Sequence, residues 1–216
     1  MKREFKYKSA FDIIGPIMVG PSSSHTAGAV RIGKMAHELF KADPTKLTVT
    51  FFGSFAETYK GHGTALAIVA GVLGFDTQDE RIPFAIELAE KKGIKIEFIT
   101  SDKVVAHANT VHLNLETAGT ELELTAISIG GGSIQLVEIS HQNIEQNRVD
   151  LIITMGQPKK AVPVIKRILE NPMMTDLQKI NEESLVLIQT DSPISHILLA
   201  KLKQVSGVTA VVTTAG

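Results

Sequence analysis

The chain has no cysteine among its 216 residues. Disulfides, thiolate-bound zinc, a cysteine nucleophile and an iron–sulfur cluster held by this chain alone are therefore excluded. The sequence also lacks a surplus of either charge, because 22 basic and 23 acidic residues leave a net charge of −1. This balance gives the chain no general attraction to nucleic acid or to an anionic membrane.

Long apolar runs are absent too, and no segment approaches the roughly 20 apolar residues that a membrane-spanning helix needs. The basic stretch 1–8 is followed by Asp12 and by Gly15-Pro16, not by the apolar core of a secretory signal. Both absences favour a cytoplasmic protein. A hydrophobic content of 44% and a charged content of 21% are typical of a globular chain with a sizeable core.

The apolar pattern divides the chain at residues 141–148, a polar stretch between two differently organised regions. After it, the pattern predicts strands and helices in the ferredoxin-like order β-α-β-β-α-β. The predicted elements lie at 149–155, 162–169, 177–180, 184–189, 194–205 and 208–213. Their number and order fit a small regulatory module of the ACT type.

The first 140 residues mix helices and strands without strict alternation, which predicts an α+β fold. Helices are expected over 24–39, over 64–73 and from Pro83 to about 91–93. Strands are expected at 47–52, 94–99, 111–116, 121–128 and 133–139. The predicted domains are therefore 1–143 and 148–216.

Four polar islands stand in otherwise apolar surroundings, and the first spans 20–28 at the start of a predicted helix. Its side chains with donors or acceptors are those of Ser22, Ser23, Ser24, His25 and Thr26. Hydroxyls and backbone N–H groups at a helix N-terminus can bind a carboxylate or a phosphate, and His25 adds a proton donor. The alternative is a helix cap with spare serines.

The second island places His62 between Gly61 and Gly63, immediately before a predicted buried helix that begins at Thr64. The glycines leave the imidazole uncovered, and imidazole titrates near neutrality, which suits a general base. A tight Gly-His-Gly turn without a catalytic role is the alternative. The pattern by itself favours the turn.

The third island contains His107 and Asn109 in a loop before a predicted strand. Asn109 can donate and accept hydrogen bonds and His107 can orient or ionise, although asparagine is also common in turns.

The fourth island contains Gly130, Gly131 and Gly132 between two predicted strands. Three glycines exceed the need of a two-residue hairpin, which favours a loop that a ligand approaches, but a long hairpin loop explains them nearly as well.

The remaining histidines are expected at the surface or in satisfied core positions; they are His37, His112, His141 and His196. The spacing of acidic residues and histidines predicts no metal site. The sequence also has no Gly-x-Gly-x-x-Gly after a strand and no Gly-Lys-Ser/Thr loop, which argues against dinucleotide and P-loop chemistry.

Five segments, in the same order along residues 11–140, resemble the bacterial iron–sulfur L-serine dehydratase, specifically the β subunit of its two-subunit form. The segments are 11–28 (FDIIGPIMVGPSSSHTAG), 53–64 (GSFAETYKGHGT), 79–83 (DERIP), 107–110 (HANT) and 128–132 (SIGGG).

The resemblance implies an N-terminal domain similar to the allosteric substrate-binding domain of some phosphoglycerate dehydrogenases, followed by an ACT domain. It also implies a separate α subunit whose cysteines hold a 4Fe–4S cluster, so that the cluster belongs to the partner. The implied reaction converts L-serine to pyruvate and ammonia through an enamine without pyridoxal phosphate. An iron of the cluster would stabilise the departing hydroxide as a Lewis acid.

The resemblance also implies site residues. His62, with Thr64 beside it, matches the family's His-Gly-Thr motif and would remove the α proton. His107 and Asn109 match a His-x-Asn pair and would hold the carboxylate or the hydroxyl of serine. The expected substrate-binding residues are Ser22, Ser23, Ser24, His25, Thr26, Gly130 and Gly131. Self-association is also expected, and the C-terminal region is expected to be dispensable for the chemistry.

One loop departs from the ACT pattern, in which a small acidic residue or asparagine followed by glycine joins the first strand to the first helix. Here the loop 155–161 carries Pro158, Lys159 and Lys160, which argues against amino-acid sensing through this loop.

A non-catalytic amino-acid-binding regulatory subunit with the same fold is the alternative function. The intact histidine motifs favour the enzyme, because a sensor needs no proton-transfer histidine.

Overall fold

The structure is a computed structural model. It describes residues 17–144, 149–180, 183–190 and 194–214, without the side chains of 142–143 and 176–180. Across these ranges, no helix combines the length and the apolar character needed to cross a membrane.

The first region contains every helix and strand that the sequence predicts before residue 140, and one more helix, α2. Its helical segments are a π-helical turn Ser23–Ala27, α1 Gly28–Phe40, α2 Gly53–Thr58, α3 Thr64–Val72, a 3-10 turn Ile82–Phe84 and α4 Ala85–Lys91. Its strands are β1 Lys46–Phe52, β2 Lys95–Ser101, β3 Thr110–Thr117, β4 Thr120–Gly130, β5 Ser133–Ile139 and β6 Gln142–Asn143. The mixed α+β class is therefore confirmed.

These strands form one six-stranded sheet in the order β2-β1-β3-β4-β5-β6. β1 and β2 are parallel and the other pairs are antiparallel. Alternate residues of β1, namely Leu47, Val49 and Phe51, are buried, as expected when one face of a strand packs on the core. Phe52 pairs with both Ser101 and Thr110, so the end of β1 lies between the end of β2 and the start of β3.

Helices α1 and α3 touch backbone to backbone on the core side of this sheet. A Cβ at Gly71 would overlap the carbonyl oxygen of Val30 and lie 2.6 Å from the backbone nitrogen of Lys34. A Cβ at Gly33 would lie 2.9 Å from the backbone nitrogen of Val72. Only glycine allows this approach, which holds the two helices in one fixed arrangement.

The second region has the predicted order β-α-β-β-α-β. Its elements are β7 Leu151–Met155, α5 Pro158–Ile168, β8 Met173–Ile180, β9 Glu183–Gln189, α6 His196–Lys203 and β10 Val208–Thr213. The strands form an antiparallel sheet in the order β10-β7-β9-β8. Helix α5 begins four residues before the predicted start at 162, because Pro158 is well suited to the first helical position.

Strands β7 and β9 of the second sheet are buried on both faces. Leu151, Ile153 and Met155 belong to a core cluster that includes residues of α5 and α6. Their neighbour Ile152 belongs instead to the core of the first region. Leu185, Leu187 and Val212 join Ile152 in that core. A strand covered on both sides has a continuous apolar sequence, which is what β7 and β9 show.

Candidate active site

The serines of the first island have two structural roles. Ser22 caps a helix, and Ser24 contacts the His25 ring. Ser22 has extended backbone, and its Oγ accepts a hydrogen bond from the His25 backbone N–H at 3.1 Å. Ser22 therefore forms the helix cap that was the alternative interpretation of this island. Ser24 Oγ lies 3.0 Å from His25 Nδ1. The cap and the polar surroundings of the histidine therefore come from the same segment.

His25 is half-buried and makes contacts on both sides of its ring. Its Nε2 lies 3.2 Å from Ser54 Oγ, and its ring centroid lies 5.1 Å from that of His62 and 5.2 Å from that of Phe55. Burial, and to a lesser extent the charge on His62, lowers the pKa of His25. The neutral imidazole is therefore the favoured form of His25 at neutral pH.

His62 is exposed on the turn between α2 and α3. The turn is held by its backbone: the His62 N–H donates to the Thr58 carbonyl at 3.0 Å, and Thr26 Oγ1 donates to the His62 carbonyl at 3.5 Å. The imidazole is consequently open to a molecule that approaches from solvent.

Thr64 lies two residues further on, yet its surroundings are the opposite of those of His62. It is fully buried at the start of α3. Its Oγ1 has no hydrogen-bond partner among the described residues. The structure therefore places His62 at the surface and Thr64 inside the protein.

The loop 107–110 is held by hydrogen bonds of its own. The Asn109 backbone N–H donates to His107 Nδ1 at 3.1 Å, and Thr110 Oγ1 donates to the His107 carbonyl at 2.6 Å. Asn109 also bonds to the next strand, since its Nδ2 donates to the Ser128 carbonyl at 3.4 Å. The His-x-Asn pair thus has a defined conformation next to the end of β4.

Helix α2 connects this loop with His25. The Phe55 N–H donates to the Ala108 carbonyl at 3.5 Å, and a Cβ at Gly53 would lie 2.7 Å from the same oxygen. Ser54, the partner of His25, lies between these two residues. The first, second and third islands therefore meet around the start of α2.

The fourth island contacts the other three islands through Ser128, not through its glycines. Ser128 is fully buried, and a Cβ at Gly28 would lie 2.8 Å from the Cβ of Ser128. Its Oγ has no hydrogen-bond partner among the described residues. The N-terminus of α1 is therefore pressed against β4 beside the third island.

The glycines of the fourth island form a tight hairpin. Gly131 and Gly132, at φ 61° and 80°, are the two residues between the paired Gly130 and Ser133. Two consecutive positive φ angles are typical of a type I′ turn. The loop is thus two residues long, and the alternative of a long hairpin loop is wrong. Gly130, at φ 99°, lies where the β4–β5 register shifts.

Ser54 is a site residue to which the sequence motifs assigned no role. It lies within the segment 53–64, directly after β1. A serine beside a glycine at the end of a strand is the only local signal for it. Its contact with His25, 29 positions away, depends on how α1 and α2 pack.

The candidate site is a surface cluster of exposed and half-buried side chains, apart from the buried Thr26 and Thr64. A cavity of about 530 Å³ adjoins it between α2, the end of β2 and the loop 102–105. This cavity touches the site at Gly53 and Ala108, whereas none of the predicted site residues is among its described lining residues. Among the described residues there is also no group of three or more histidine, aspartate or glutamate side chains that could hold a metal ion. The arrangement offers proton transfer by imidazole and hydrogen bonding by hydroxyl and amide groups.

Several known proteins are similar to this chain in sequence. A family model described as serine dehydratase beta chain matches residues 9–90. The probable L-serine dehydratase, beta chain, of Bacillus subtilis (strain 168) is 44% identical over 217 residues, covering 95% of this chain and 99% of that protein. The L-serine dehydratase, beta chain, of Peptoniphilus asaccharolyticus is 42% identical over 139 residues, 63% of either chain. L-serine dehydratase 2 of Escherichia coli (strain K12) is 35% identical over 151 residues, covering 58% of this chain and 33% of that protein.

The fold and the site together define a mixed α+β protein with an open cluster of imidazole, hydroxyl and amide groups. The chain belongs to the family of L-serine dehydratase beta chains.

Proposed function

We propose that this chain, together with a cysteine-bearing α subunit, converts L-serine to pyruvate and ammonia. The observation that supports this function is the meeting of His25, His62, Ser54 and the loop 107–110 on one open surface. A chain of this family with an accessible imidazole beside hydrogen-bonding groups has what the removal of an α proton requires.

His62 is the general base of the proposal. Its imidazole takes the proton from Cα of serine, and the electron pair left on Cα forms the double bond to Cβ as hydroxide departs. The resulting enamine tautomerises to an imine, which water hydrolyses to pyruvate and ammonia. The exposure of His62 supports this role, because a base must reach its substrate. Thr64 would act from the buried start of α3, as a neighbour that supports the His62 turn.

The other site residues orient the substrate. His107 and Asn109 would hold the carboxylate or the hydroxyl of serine, and their hydrogen-bonded loop supports a fixed geometry. The remaining substrate-binding residues of the proposal are Ser22, Ser23, Ser24, His25, Thr26, Gly130 and Gly131. His25 would act as a neutral hydrogen-bonding group, in keeping with its lowered pKa.

The 4Fe–4S cluster is assigned to the α subunit. The present chain has no cysteine, and its described residues include no other cluster of potential metal ligands, so they do not fit the group. The matched region is only 33% of the single-chain Escherichia coli relative, which leaves length for a second part in that protein. The same α subunit would cover the exposed His62 and exclude water from the reaction.

The finer structural assignments are part of the same proposal. The first region, 1–143, is an allosteric-substrate-binding-like domain and the second, 148–216, is an ACT-type domain. The strand order β10-β7-β9-β8 supports the second assignment. A cytoplasmic location and self-association complete the proposal, and both stay predictions from the sequence and the family.

The experiment is reconstitution. The purified chain is expected to form no pyruvate from L-serine, and activity is expected after anaerobic addition of a cysteine-bearing partner with iron and sulfide. The partner alone, treated identically, is the control. Pyruvate formation by this chain alone would contradict the proposal. Full activity of the partner alone, merely modulated by this chain, would establish the regulatory alternative instead.

A further inference from the structure

The hydroxyl of Ser54 has no assigned role in the proposed reaction, although it contacts a site residue. Ser54 is half-buried at the second position of α2. Its Oγ lies 3.2 Å from Nε2 of His25, within hydrogen-bond distance. The other ring nitrogen, Nδ1, lies 3.0 Å from Ser24 Oγ and 3.4 Å from Ser22 Oγ. Serine hydroxyls therefore lie at both nitrogens of the His25 ring.

Two hydroxyl partners suit a neutral imidazole. One nitrogen of the neutral ring donates a hydrogen bond and the other accepts one, and a serine hydroxyl can serve either of them. The lowered pKa of His25 favours this neutral form. Among the described residues, Ser54 is the hydrogen-bond partner of Nε2. Removal of the Ser54 hydroxyl would therefore leave that nitrogen without a partner from this part of the chain.

The backbone of Ser54 is anchored to the third island. A Cβ at Gly53 would lie 2.7 Å from the Ala108 carbonyl oxygen, and the Phe55 N–H donates to the same oxygen at 3.5 Å. The Ser54 carbonyl accepts a hydrogen bond from Thr58 Oγ1 at 2.6 Å. Contacts on both sides thus fix the position from which the Ser54 hydroxyl reaches His25.

Packing alone does not fix which way the His25 ring faces. The ring lies 5.2 Å from Phe55 at an angle of 72°, and 5.1 Å from His62 at an angle of 37°. A half-turn of the imidazole about its last torsion angle keeps the ring in the same plane, and this torsion angle has two broad minima. The half-turn exchanges nitrogen and carbon positions, so hydrogen bonds distinguish the two orientations.

We propose that Ser54 is a positioning residue whose hydroxyl binds Nε2 of His25 and holds that imidazole in one orientation beside His62. The inference rests on the proposed function, in which His25 orients L-serine and His62 takes the proton. Ser54 takes no part in the proton transfer. Without its hydroxyl the His25 ring would turn, so the substrate would bind less tightly while the base stayed in place.

NMR of the full chain with ¹⁵N-labelled histidine tests the contact. Ser54→Ala should shift the ring nitrogen resonances of His25, because Nε2 loses its partner and the balance between the two neutral tautomers changes. Resonances of His37, near the other end of α1, should stay in place. Ser54→Thr keeps a hydroxyl and should retain the His25 resonances of the natural chain. Thermal unfolding checks that each variant is folded.

Kinetics of the complex reconstituted with the α subunit test the role. Ser54→Ala is expected to raise KM for L-serine about tenfold, the effect of losing one hydrogen bond, and to change kcat less. Ser54→Thr should restore KM. The control is Ser184→Ala, a half-buried serine of β9 in the second region, which should leave KM and kcat unchanged.

A double-mutant cycle shows whether Ser54 acts through His25. In a His25→Ala chain, the further change Ser54→Ala should raise KM little, because the group that Ser54 holds is already absent. Additive effects of the two changes on KM would overturn the inference. So would unchanged His25 resonances in Ser54→Ala, natural kinetics of that variant, or equal rises of KM in Ser54→Ala and Ser54→Thr.

Failure of the proposed function gives a different result. If the natural chain and the α subunit together form no pyruvate, the proposed function is contradicted, and with it the effect of Ser54 on the substrate. The NMR comparison needs no activity, and it decides separately whether Ser54 holds the His25 ring.

Discussion

His25 and His62 lie in different surroundings, which suit the two imidazoles to different chemical roles. His62 is exposed on a turn, whereas His25 is half-buried between Ser24 and Ser54. A general base must be accessible and free to take a proton, while a group that orients a substrate benefits from fixed hydrogen bonds. At the residue scale, these surroundings suit the roles proposed above, with His62 as the base and His25 as an orienting group.

Replacement of the base tests this assignment. His62→Ala is expected to lower kcat by about 10²–10⁴-fold, because proton transfer loses its acceptor. The complex should still assemble with its partner. The matched control is His196→Ala, an exposed histidine at the start of α6, for which kcat and KM should be unchanged. Near-normal turnover in His62→Ala would refute the assignment and make His25 the next candidate.

The titration of His25 gives a second prediction at this scale. An NMR titration of its ring should show a pKa below the ordinary 6.5, because burial and His62 both disfavour the imidazolium. In His62→Ala the pKa should rise while remaining below 6.5, since the burial persists. An unchanged value in the variant would show that the two rings do not interact.

The same shift has a defined sign for stability. Because the folded pKa is lowered, the unfolded chain binds the proton more readily. The stability contributed by His25 is therefore complete above pH 6.5 and declines as the pH falls through and below that value. Chemical unfolding at a series of pH values should show a smaller decline for His25→Asn than for the natural chain.

At the scale of elements, the crossing of α1 and α3 determines where the site histidines lie. His25 precedes α1 and His62 precedes α3, and the two helices touch at Gly33 and Gly71. The adjacent helix starts are further joined by the Thr26 hydroxyl, which donates to the His62 carbonyl. The small residues in the two helices thus contribute to the site from a distance.

Gly71→Ala tests this crossing. In an isolated helix, alanine would be more favourable than glycine by about 1 kcal/mol. Here its Cβ would overlap the Val30 carbonyl oxygen, so we expect a net destabilisation of roughly 2–3 kcal/mol in chemical unfolding. Gly156→Ala is the control, since a Cβ there meets nothing within 4 Å. A Gly71→Ala chain as stable as the natural one would contradict the close contact.

At the scale of the whole molecule, the two regions share a core. Ile152, Leu185, Leu187 and Val212 of the second sheet pack with the core of the first region. The polar junction at 141–148 marks a change of sequence pattern, and the boundaries 1–143 and 148–216 stay a prediction. The second region can therefore be dispensable for the chemistry and still be needed for the stability of the fold.

Removal of the second region is expected to destabilise the first. A chain that ends at Asn147 should unfold at a lower temperature and bind a hydrophobic dye, because the apolar surface under the second sheet is exposed. In the full chain, Leu187→Ala is expected to cost about 2–4 kcal/mol. Met173→Ala, at an exposed position of β8, should cost little. Unchanged stability in the truncated chain would contradict a shared core.

Local sequence patterns determined the helices and strands of this protein closely. The alternation in β1 and the helical spacing of α1 report which side of each element is buried, and this information is carried by neighbouring residues. The sequence pattern does not predict helix α2, because its six residues, which begin with Gly53, are too few to show a helical period. The continuous apolar runs of β7 and β9 indicate strands but do not say what covers their two faces.

The candidate site residues were located by their motifs, and their relations were decided by the tertiary structure. The sequence places His62 and Thr64 two positions apart as an apparent pair, yet one is exposed and the other fully buried. It gives no sign that Ser54 contacts His25, because that contact spans 29 positions. The sequence by itself determined which chemical groups the chain carries and most of the elements that hold them, α2 with Ser54 being the exception. Only the packing of α1, α2 and α3 decided which groups meet, because proximity and burial depend on contacts between residues distant in the chain.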